Sequence, residues 1–548
     1  MMKRFIDPTE QSKSKKFDLL VIGGGITGAA VAYDAASRGL QVALVEKNDF
    51  GGATSSATSK LIHGGLRYLA NMELALVRES LRERKNLGNI APNFVYPFPF
   101  MITTNNNKIT ATKPVIKMGM IAYDLLSFDK GWTWDKSKKI PWHKSLSKKK
   151  VLELESNVKE EGLTGAAVYY DSVSIFPERL TLAFIKSAVK HGAQVTNYCE
   201  VKDFLYDQNK KIKGIKGYDK INNKEIEIES TLTVNCGGPW ADIILNLAKK
   251  ENTDKQIRRS EGIHIITKKL ADDHVIMSMT PSGRHFFIIP WRNHSLIGTT
   301  DKEYIGSPDE YQVTKKSINE LLDEVNSSFG KNPLKYEDIL HTYGGLRPLV
   351  EDQTENVYES SRKYEIYDNA QDGLDGLITV EGGKYTTSRN LAENVIKMVS
   401  KKLNKNLPAC KTDKKFLYGC EIKDINDFIN SALQENKEIS SETIKYLTRH
   451  YGTEYKKVLE LAQTDKKLLE PLNGDGEILA EVLYALKNEM AFSLNDLFFR
   501  RTGLGTLGDP GDEIINKVID LAASELGWDQ TKINSETTEL KKKFIIPQ

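Results

Sequence analysis

Three closely spaced glycines near the amino terminus limit the fold of this chain more than any other feature. The apolar run FDLLVIGG, which starts at Phe17, predicts a buried parallel strand, and it leads into Gly23-x-Gly25-x-x-Gly28. The apolar spacing from Ile26 to Ser37 predicts a helix directly after this turn. A glycine turn between a buried strand and a helix is typical of a dinucleotide-binding unit.

The run QVALVE at residues 41–46 predicts a second buried strand, which completes a β-α-β unit. Glu46 follows Gly28 by 18 residues, the spacing expected for an acid that binds ribose hydroxyls. Gly23 permits the tight turn, and Gly25 lets the backbone approach a pyrophosphate. Gly28 allows the helix to pack closely on the strand. The sequence therefore predicts an α/β, Rossmann-like domain, and the motif alone fits FAD and NAD equally.

The length of 548 residues predicts two or three domains, because one hydrophobic core does not extend over so long a chain. Residues 1–16 are polar and lysine-rich and are expected to form a flexible lead-in. Further strand candidates are widely scattered: TLTVNCGG, HFFIIPW, SLIGTT and GLITVEGG. Alternating apolar residues in HIITKK and HFFIIPW predict an antiparallel sheet. We therefore expect a discontinuous cofactor domain with an interleaved substrate-binding (cap) domain over residues 17–400. Helical apolar spacing predicts a helical domain over residues 401–548.

Charge and cysteine content exclude several classes of protein. The chain has 77 basic and 74 acidic residues, and the net charge of +3 indicates no nucleic-acid partner. The four cysteines form no CxxC pair, which fits a reducing, cytoplasmic compartment, and no metal site is expected. No stretch of about 18 apolar residues occurs, so no membrane-spanning helix is expected.

The loop after the second predicted strand carries the most specific signal. Residues 53–69, ATSSATSKLIHGGLRYL, place hydroxyls, a lysine, a histidine, two glycines and an Arg-Tyr pair together, which suits a phosphate-bearing cofactor. With IGGGITGAA before it, this segment closely resembles the FAD-dependent glycerol-3-phosphate dehydrogenase family of the aerobic, quinone-linked type. Four later segments resemble the motifs of that family in the same order: residues 234–242, 289–301, 342–349 and 381–393. The resemblance covers roughly residues 17–398, and the helical tail also looks like the carboxyl-terminal domain of the family.

The resemblance implies further FAD contacts besides the glycine fingerprint and Glu46. Ser59, Lys60 and Gly65 correspond to flavin contacts, and the backbone of Val201 would pair with the adenine. A solvated surface position is the alternative for Lys60.

Gly382 and Gly383 follow a predicted strand and precede a helix that begins near Tyr385. The resemblance implies that they place backbone N–H groups and a helix amino terminus beside the pyrimidine edge of the flavin, which gains negative charge on reduction. The alternative is an ordinary turn between strand and helix.

The substrate of the family, glycerol 3-phosphate, needs a cationic cage for its phosphate. The resemblance points to four residues for this cage: Arg67, Tyr68, Arg362 and Lys384. Arginine binds phosphate oxygens in pairs, and lysine adds a mobile point charge. Arg362 matches by position alone, and a surface arginine is the alternative.

Oxidation of the substrate also needs a base beside the C2 hydroxyl. His264 is the expected base, because the unperturbed imidazole pKa of about 6.5 lies near neutral pH. Arg347 would stabilise the developing alkoxide, and the preceding Gly344 and Gly345 suggest a flexible approach to the reacting carbon. A purely structural histidine is the alternative for His264.

Other functions remain open at this point. An amino-acid-oxidase-like flavoenzyme shares the fingerprint but would need a carboxylate clamp, whereas Arg67, Tyr68 and Lys384 favour phosphate. A glycerol-3-phosphate oxidase that uses O2 is a second alternative, although oxidases of the family often carry a large central insertion that this chain lacks. A non-catalytic flavin- or nucleotide-binding protein is the third alternative.

Residues 130–150 predict a peripheral membrane contact, because they combine eight lysines and three tryptophans with one acid. The alternative is a solvated loop whose tryptophans pack inward. The resemblance favours the membrane, because dehydrogenases of the family lie on the inner face of the cell membrane and reduce quinone. A homodimer stays open as the oligomeric state.

Overall fold

The strand predicted at Phe17 lies at the centre of an eight-stranded sheet, in which parallel strands are ordered β18-β10-β1-β2-β7. In this computed structural model the described residues are 2–5, 16–106, 109–250, 257–280, 284–350, 363–463 and 465–548. The strands of this sheet are β1 (Phe17–Ile22), β2 (Val42–Val45), β7 (Gln194–Thr196), β8 (Cys199–Tyr206), β9 (Ile212–Asp219), β10 (Lys224–Asn235), β17 (Tyr364–Asp368) and β18 (Leu377–Gly382). The apolar runs of β1 and β2 are almost wholly buried, as expected for parallel strands covered on both faces.

A second sheet has ten strands, and all of its pairs except β4 with β12 are antiparallel. Its strands are β3 (Leu61–Ile62), β4 (Val95–Asn105), β5 (Lys144–Ser147), β6 (Leu163–Ser174), β11 (Arg258–Lys268), β12 (Val275–Met279), β13 (His285–Trp291), β14 (His294–Gly298), β15 (Lys302–Tyr304) and β16 (Ile339–Leu349). The predicted strands HFFIIPW and SLIGTT are β13 and β14. Both therefore belong to this sheet. Of the four scattered strand candidates, TLTVNCGG and GLITVEGG contribute to the parallel sheet.

Helices cover both sheets. They are α1 (Ile26–Ser37), α2 (Leu66–Ala70), α3 (Leu74–Ile90), α4 (Lys113–Leu126), α5 (Lys148–Leu154), α6 (Pro177–Lys190), α7 (Ala241–Lys249), α8 (Lys315–Ser328) and α9 (Ser388–Lys402). The parallel sheet packs on α1, α6 and α9 through a shared apolar core. On its other face lie α7 and the β8–β9 ribbon.

The carboxyl-terminal part is helical, as predicted. Its helices are α10 (Ile425–Glu435), α11 (Ser441–Tyr451), α12 (Tyr455–Leu461), α13 (Leu479–Asn488), α14 (Leu494–Asp496), α15 (Asp512–Leu526) and α16 (Gln530–Phe544). A π-helical turn, Leu497–Arg501, follows α14. The predicted fold class, a Rossmann-like domain with an antiparallel substrate-side sheet and a helical tail, is confirmed.

The start of the expected flexible lead-in is anchored instead. Arg4 forms an ion pair of 2.6 Å with Asp219, and the two side chains are 8% and 0% exposed. Met2 is buried, and its backbone N–H donates to the carbonyl of Asn488. Residues 2–5 are therefore held by the parallel sheet and the helical tail, because Arg4 offers buried Asp219 a charged partner.

Candidate functional site

A cavity of about 560 Å³ lies at the carboxyl ends of β1 and β2 and extends to the start of α9 and to β16. Ligands of doubly wound sheets bind at this edge. Ten of the residues predicted for cofactor or substrate line it: Gly23, Gly25, Glu46, Ser59, Tyr68, Val201, Arg347, Gly382, Gly383 and Lys384. Residues from five distant segments of the chain thus meet in one place.

The glycine fingerprint forms a cradle at one end of the cavity. A Cβ at Gly28 would lie 1.9 Å from the carbonyl oxygen of Gly23, so only glycine lets α1 pack this closely on the turn. Gly28 itself does not line the cavity, which agrees with its predicted packing role. Gly25 caps the amino terminus of α1, and Ile26 N–H donates to Ser55 Oγ over 2.9 Å. A side chain at Gly25 would therefore take the place in which a pyrophosphate meets the helix amino terminus.

Glu46 is fixed by backbone donors. Its Oε2 accepts from the N–H of Gly24 over 2.6 Å, and its Oε1 accepts from the N–H of Asn48 over 2.9 Å. Burial raises the pKa of Glu46, and these two hydrogen bonds act against that rise. Val201, in β8, lines the cavity near this acid. The residue types and the open cradle fit an adenine dinucleotide.

Cationic side chains gather around Tyr68 at the other end of the cavity. The Lys384 Nζ lies 3.8 Å from the centroid of the Tyr68 ring and 3.0 Å from Ser80 Oγ. The guanidinium of Arg67 lies 5.1 Å from the same ring. Gly65 does not line the cavity, but a Cβ there would lie 2.3 Å from Tyr68 Cδ2. Gly65 therefore makes room for the tyrosine ring.

Asp301 connects two of the predicted cations, and sequence reasoning assigned it no role. Its Oδ2 lies 3.4 Å from Arg67 Nη1, and its Oδ1 lies 3.6 Å from Arg347 Nη1. Arg347 Nη2 also donates to Thr299 Oγ1 over 2.7 Å. Asp301 ends the segment 289–301 that carries part of the family resemblance, so the signal was its place in that motif. This carboxylate therefore links Arg67 to Arg347, and of these two arginines Arg347 lines the cavity.

His264 lies behind the cavity wall. The side chain is fully buried, and its Nε2 lies 2.8 Å from the Oγ of Ser59, which does line the cavity. The ring stacks on Tyr343, with 4.9 Å between the ring centroids. Burial, aided by the charges of Arg347 and Lys60, lowers the pKa of His264 well below its usual 6.5. The imidazole therefore stays neutral at physiological pH and can accept a proton through Ser59.

His63 also lines the cavity, although the sequence suggested no role for it beyond its place in the loop. Burial lowers the pKa of His63 to about 4. The positive charges of Lys384 and Arg67 lower this pKa further, whereas the negative charge of Asp171 raises it. A neutral imidazole beside the cationic residues offers a hydrogen-bonding group without a further charge.

Lys60 and Arg67 are also absent from the cavity lining. Lys60 is 4% exposed, and its Nζ forms an ion pair of 2.5 Å with Glu178. It lies 5.4 Å and 5.6 Å from the ring centroids of Trp291 and Tyr343. Lys60 is thus neither a surface lysine nor a cavity residue, because a buried carboxylate and two rings hold it beneath the site. Arg362 lies outside the described residues.

Comparisons with known proteins identify the family of this chain. Residues 18–389 match the family described as FAD dependent oxidoreductase, and residues 410–533 match the C-terminal domain of alpha-glycerophosphate oxidase. The chain is 33% identical to the glycerol-3-phosphate dehydrogenase of Synechocystis sp., over 95% of either chain. It is also 33% identical to the aerobic glycerol-3-phosphate dehydrogenase of Staphylococcus aureus, over 97% of this chain and 94% of the relative.

A solved structure of a glycerol-3-phosphate dehydrogenase is also similar to this chain. The glycerol-3-phosphate dehydrogenase from Bacillus halodurans, complexed with FAD, superposes with a TM-score of 0.77 at 27% identity, over 97% of this chain and 95% of that one. FAD is therefore the cofactor of this chain. The chain belongs to the family of FAD-dependent glycerol-3-phosphate dehydrogenases and oxidases.

Proposed function

We propose that the protein oxidises sn-glycerol 3-phosphate to dihydroxyacetone phosphate and passes the electrons to a membrane quinone. The observation that carries the substrate assignment is the cationic cage, defined as Arg67 and Lys384 beside Tyr68 together with Arg347, which Asp301 links to Arg67. A doubly charged phosphate needs several cations in a partly enclosed space, whereas an amino-acid substrate would need fewer. The names of the relatives support the same substrate.

The residues divide the reaction into separate tasks. Lys384 and Arg67 bind the phosphate and so orient the substrate in the cavity. Arg347 stabilises negative charge on the C2 oxygen as its proton leaves. That proton passes to Ser59 Oγ, which gives its own proton to Nε2 of His264. When bound, FAD supplies the acceptor for the hydride that leaves C2.

Anaerobic mixing of the holoenzyme with candidate substrates tests this assignment. Glycerol 3-phosphate should bleach the visible flavin absorbance, whereas glycerol and L-amino acids at the same concentration should not. Equal bleaching by an amino acid would favour an amino-acid-oxidase-like enzyme. A lack of bleaching by every compound would favour a non-catalytic flavin-binding protein.

The acceptor assignment is supported by ten exposed large apolar side chains that are clustered in sequence and are together called the exposed apolar surface: Met72, Leu74, Ile109, Met118, Ile121, Leu125, Phe128, Trp132, Trp134 and Trp142. These are ten of the fifteen exposed large apolar side chains of the described residues. Met118, Ile121 and Leu125 share one face of α4 at helical spacing. Trp132 and Trp142 are 67% and 62% exposed, which argues against tryptophans that pack inward.

The basic residues beside this surface are fewer than the sequence suggested. Lys130 forms a buried ion pair with Asp124, and Lys138 donates to the carbonyl of Val95 over 2.7 Å. Burial lowers the pKa of Lys138 to about 7. Lys148 and Lys150 form exposed ion pairs of 3.2 Å and 3.0 Å with Glu160 and Glu153, which leaves four of the eight lysines of residues 130–150 for anionic lipid, at about 1 kcal/mol each near the surface. Apolar insertion and these charges together favour reversible docking on the cytoplasmic face. No helix in the described ranges is long and apolar enough to cross a membrane.

Quinone-loaded vesicles test the acceptor. With anionic vesicles, glycerol 3-phosphate should reduce the quinone faster than it generates peroxide. Peroxide formation at the full rate of substrate oxidation, in vesicles or in solution, would identify an oxidase that uses O2. The substrate assignment would then stand, and the quinone assignment would fail.

A further inference from the structure

The loop between β2 and β3, residues 46–59, forms one wall of the cofactor cavity and is called the cofactor loop here. Asp49, Gly52 and Ser55 line the cavity from this loop. Ser55 accepts from the amino terminus of α1, and Thr54 Oγ1 donates to the carbonyl of Leu346 over 2.6 Å. The position of this loop therefore affects both the cradle and the strand that carries Arg347.

Asp49 is the most strongly held residue of the cofactor loop. Its side chain is 0% exposed, and Arg501 binds it with two hydrogen bonds of 2.8 Å and 2.7 Å. Arg500 Nε donates to Oδ2 over 2.6 Å, and Asn197 donates to Oδ1 over 3.0 Å. Burial alone would raise the pKa of Asp49, but Arg501 and Arg500 outweigh it and hold that pKa below its usual value. Asp49 is therefore a buried carboxylate whose charge depends on two arginines.

Both arginines come from the helical tail, at the end of the π-helical turn Leu497–Arg501. Arg501 is 1% exposed and also donates to the carbonyl of Glu489 over 3.1 Å and 3.0 Å. Arg500 pairs with Asp496 over 2.5 Å. Irregular turns of this kind are frequent at functional sites. The tail thus contacts the cavity wall through charges, at a point remote from the substrate cage in sequence.

We propose that Arg500 and Arg501 are positioning residues for FAD, so that cofactor affinity depends on the helical tail as well as on the glycine fingerprint. Without them, Asp49 would be an unpaired buried carboxylate in the wall of a cavity that receives a negatively charged pyrophosphate. A buried ion pair that loses one partner is costly, because the remaining charge is neither hydrated nor compensated. The cofactor loop would move to expose Asp49, and the cradle would change shape with it.

Titration of the full-length apoprotein with FAD tests this role without any substrate, so the result does not depend on the proposed reaction. Arg501→Gln should raise the FAD Kd at least tenfold and should reduce the gain in Tm that FAD gives. Lys186→Gln is the matched control. Lys186 forms equally buried ion pairs of 2.6 Å with Glu454 and Glu489 of the tail, but none of these residues belongs to the cofactor loop. Its FAD Kd should stay within twofold of wild type, even if Tm falls.

Charge removal gives a second readout. The double variant Asp49→Asn with Arg501→Gln lacks the uncompensated carboxylate, so its FAD Kd should be at least threefold lower than that of Arg501→Gln. If Arg501→Gln does not fold, Arg500→Gln keeps the paired contact with Arg501 and should raise the Kd at least threefold. A wild-type Kd in the arginine variants, an equal rise in Lys186→Gln, or a double variant as weak as Arg501→Gln overturns the proposal.

Discussion

Ser59 stands between the cavity and His264, and this order determines how a proton can leave the substrate. The imidazole is fully buried, so a substrate in the cavity meets Ser59 Oγ first. Since burial keeps the pKa of His264 well below 6.5, the ring is in its proton-accepting form from pH 8 down to at least 6.5. We therefore expect the acid limb of kcat/KM to lie below pH 6.5.

Ser59 and His264 should both be needed for removal of the substrate proton. Ser59→Ala and His264→Ala should each slow flavin reduction by roughly 100-fold or more, measured by anaerobic stopped flow. The loss in His264→Ala should shrink at high pH, where hydroxide replaces the base. FAD content should match wild type in His264→Ala, because His264 does not line the cavity. A normal rate in Ser59→Ala together with a slow His264→Ala would mean that His264 receives the proton directly.

Lys384 should act on substrate recognition. Lys384→Met removes a charge-assisted contact to a desolvated phosphate. The transition-state stabilisation given by kcat/KM for glycerol 3-phosphate should therefore fall by about 2 to 4 kcal/mol. Lys202→Met is the control, because Lys202 lines the cavity beside Val201 at the other end. An unchanged preference for glycerol 3-phosphate over glycerol in Lys384→Met would contradict the cage.

Motifs identified the segments of the site, but they did not determine where individual side chains point. The segment that holds Ser59 and Tyr68 also holds Lys60, yet Lys60 turns to Glu178, which is distant in sequence. Asp301 has its role only because β11 and β16 bring Arg347 beside it. Such pairings depend on strand register, which a local pattern does not contain.

At the scale of elements, the pairing of β11 with β16 positions Arg347. Gly262 lies opposite Gly345 in this pair, and a Cβ at Gly262 would lie 2.0 Å from Arg347 Nη2. Gly344 and Gly345 lie within β16, so Arg347 extends from a regular strand and not from the flexible approach that the sequence suggested. The guanidinium crosses the neighbouring strand where that strand has no side chain.

Gly262→Ala should therefore displace Arg347. We expect kcat/KM to fall at least tenfold, which corresponds to a loss of about 1.4 kcal/mol in transition-state stabilisation. The variant should retain FAD. Gly88→Ala in α3 is the control, because nothing lies within 4 Å of its added Cβ. Alanine there should be neutral or slightly stabilising. Wild-type kinetics in Gly262→Ala would show that Arg347 can move without loss.

Helix and strand prediction worked where the pattern was local. The expected helix Ile26–Ser37 is α1, and the expected strand at residues 41–46 is β2, Val42–Val45. The sheet to which a strand belongs was less predictable. The alternation in HFFIIPW correctly predicted an antiparallel strand, which is β13. SLIGTT gave no such signal, and it is β14 of the same sheet, paired with β11 and β13.

At the scale of the whole molecule, a buried histidine joins the substrate-side sheet to the helical tail. His341 is 4% exposed, and its ring stacks on Phe499 with 6.1 Å between centroids. Burial lowers its pKa to about 4. At pH 7.5 this group is neutral in both the folded and the unfolded chain. As the pH falls from about 6.5 to 4, only the unfolded chain takes up the proton, so folding stability falls.

His341→Gln removes this titration. Between pH 6.5 and 4.5, wild type should lose up to about 1.4 kcal/mol of unfolding free energy per pH unit more than His341→Gln does. Urea unfolding of the two holoproteins at several pH values measures the difference, in which other titrating groups cancel. Parallel pH profiles would mean that folding does not lower the pKa of His341.

The exposed apolar surface should bind membranes as a unit. Replacing Phe128, Trp132 and Trp142 with serine removes three rings that are each more than 60% exposed. Trp134 is kept, because its ring lies 4.9 Å from that of Phe416 and supports the fold. Wild type should sediment with anionic vesicles at low salt and be largely released at high salt, since screening weakens the lysine contacts. The triple variant should bind weakly even at low salt, because tryptophan favours the bilayer interface.

The same variant separates membrane docking from catalysis. It should lose most quinone reduction with membranes while keeping its activity with a soluble dye, because the cavity does not include these rings. Ile305→Ser is the control, since Ile305 is 91% exposed but does not belong to the apolar surface. Equal loss with both acceptors would mean that the three rings support the fold and not the membrane contact. Unchanged quinone reduction would mean that the electrons leave by another face of the molecule.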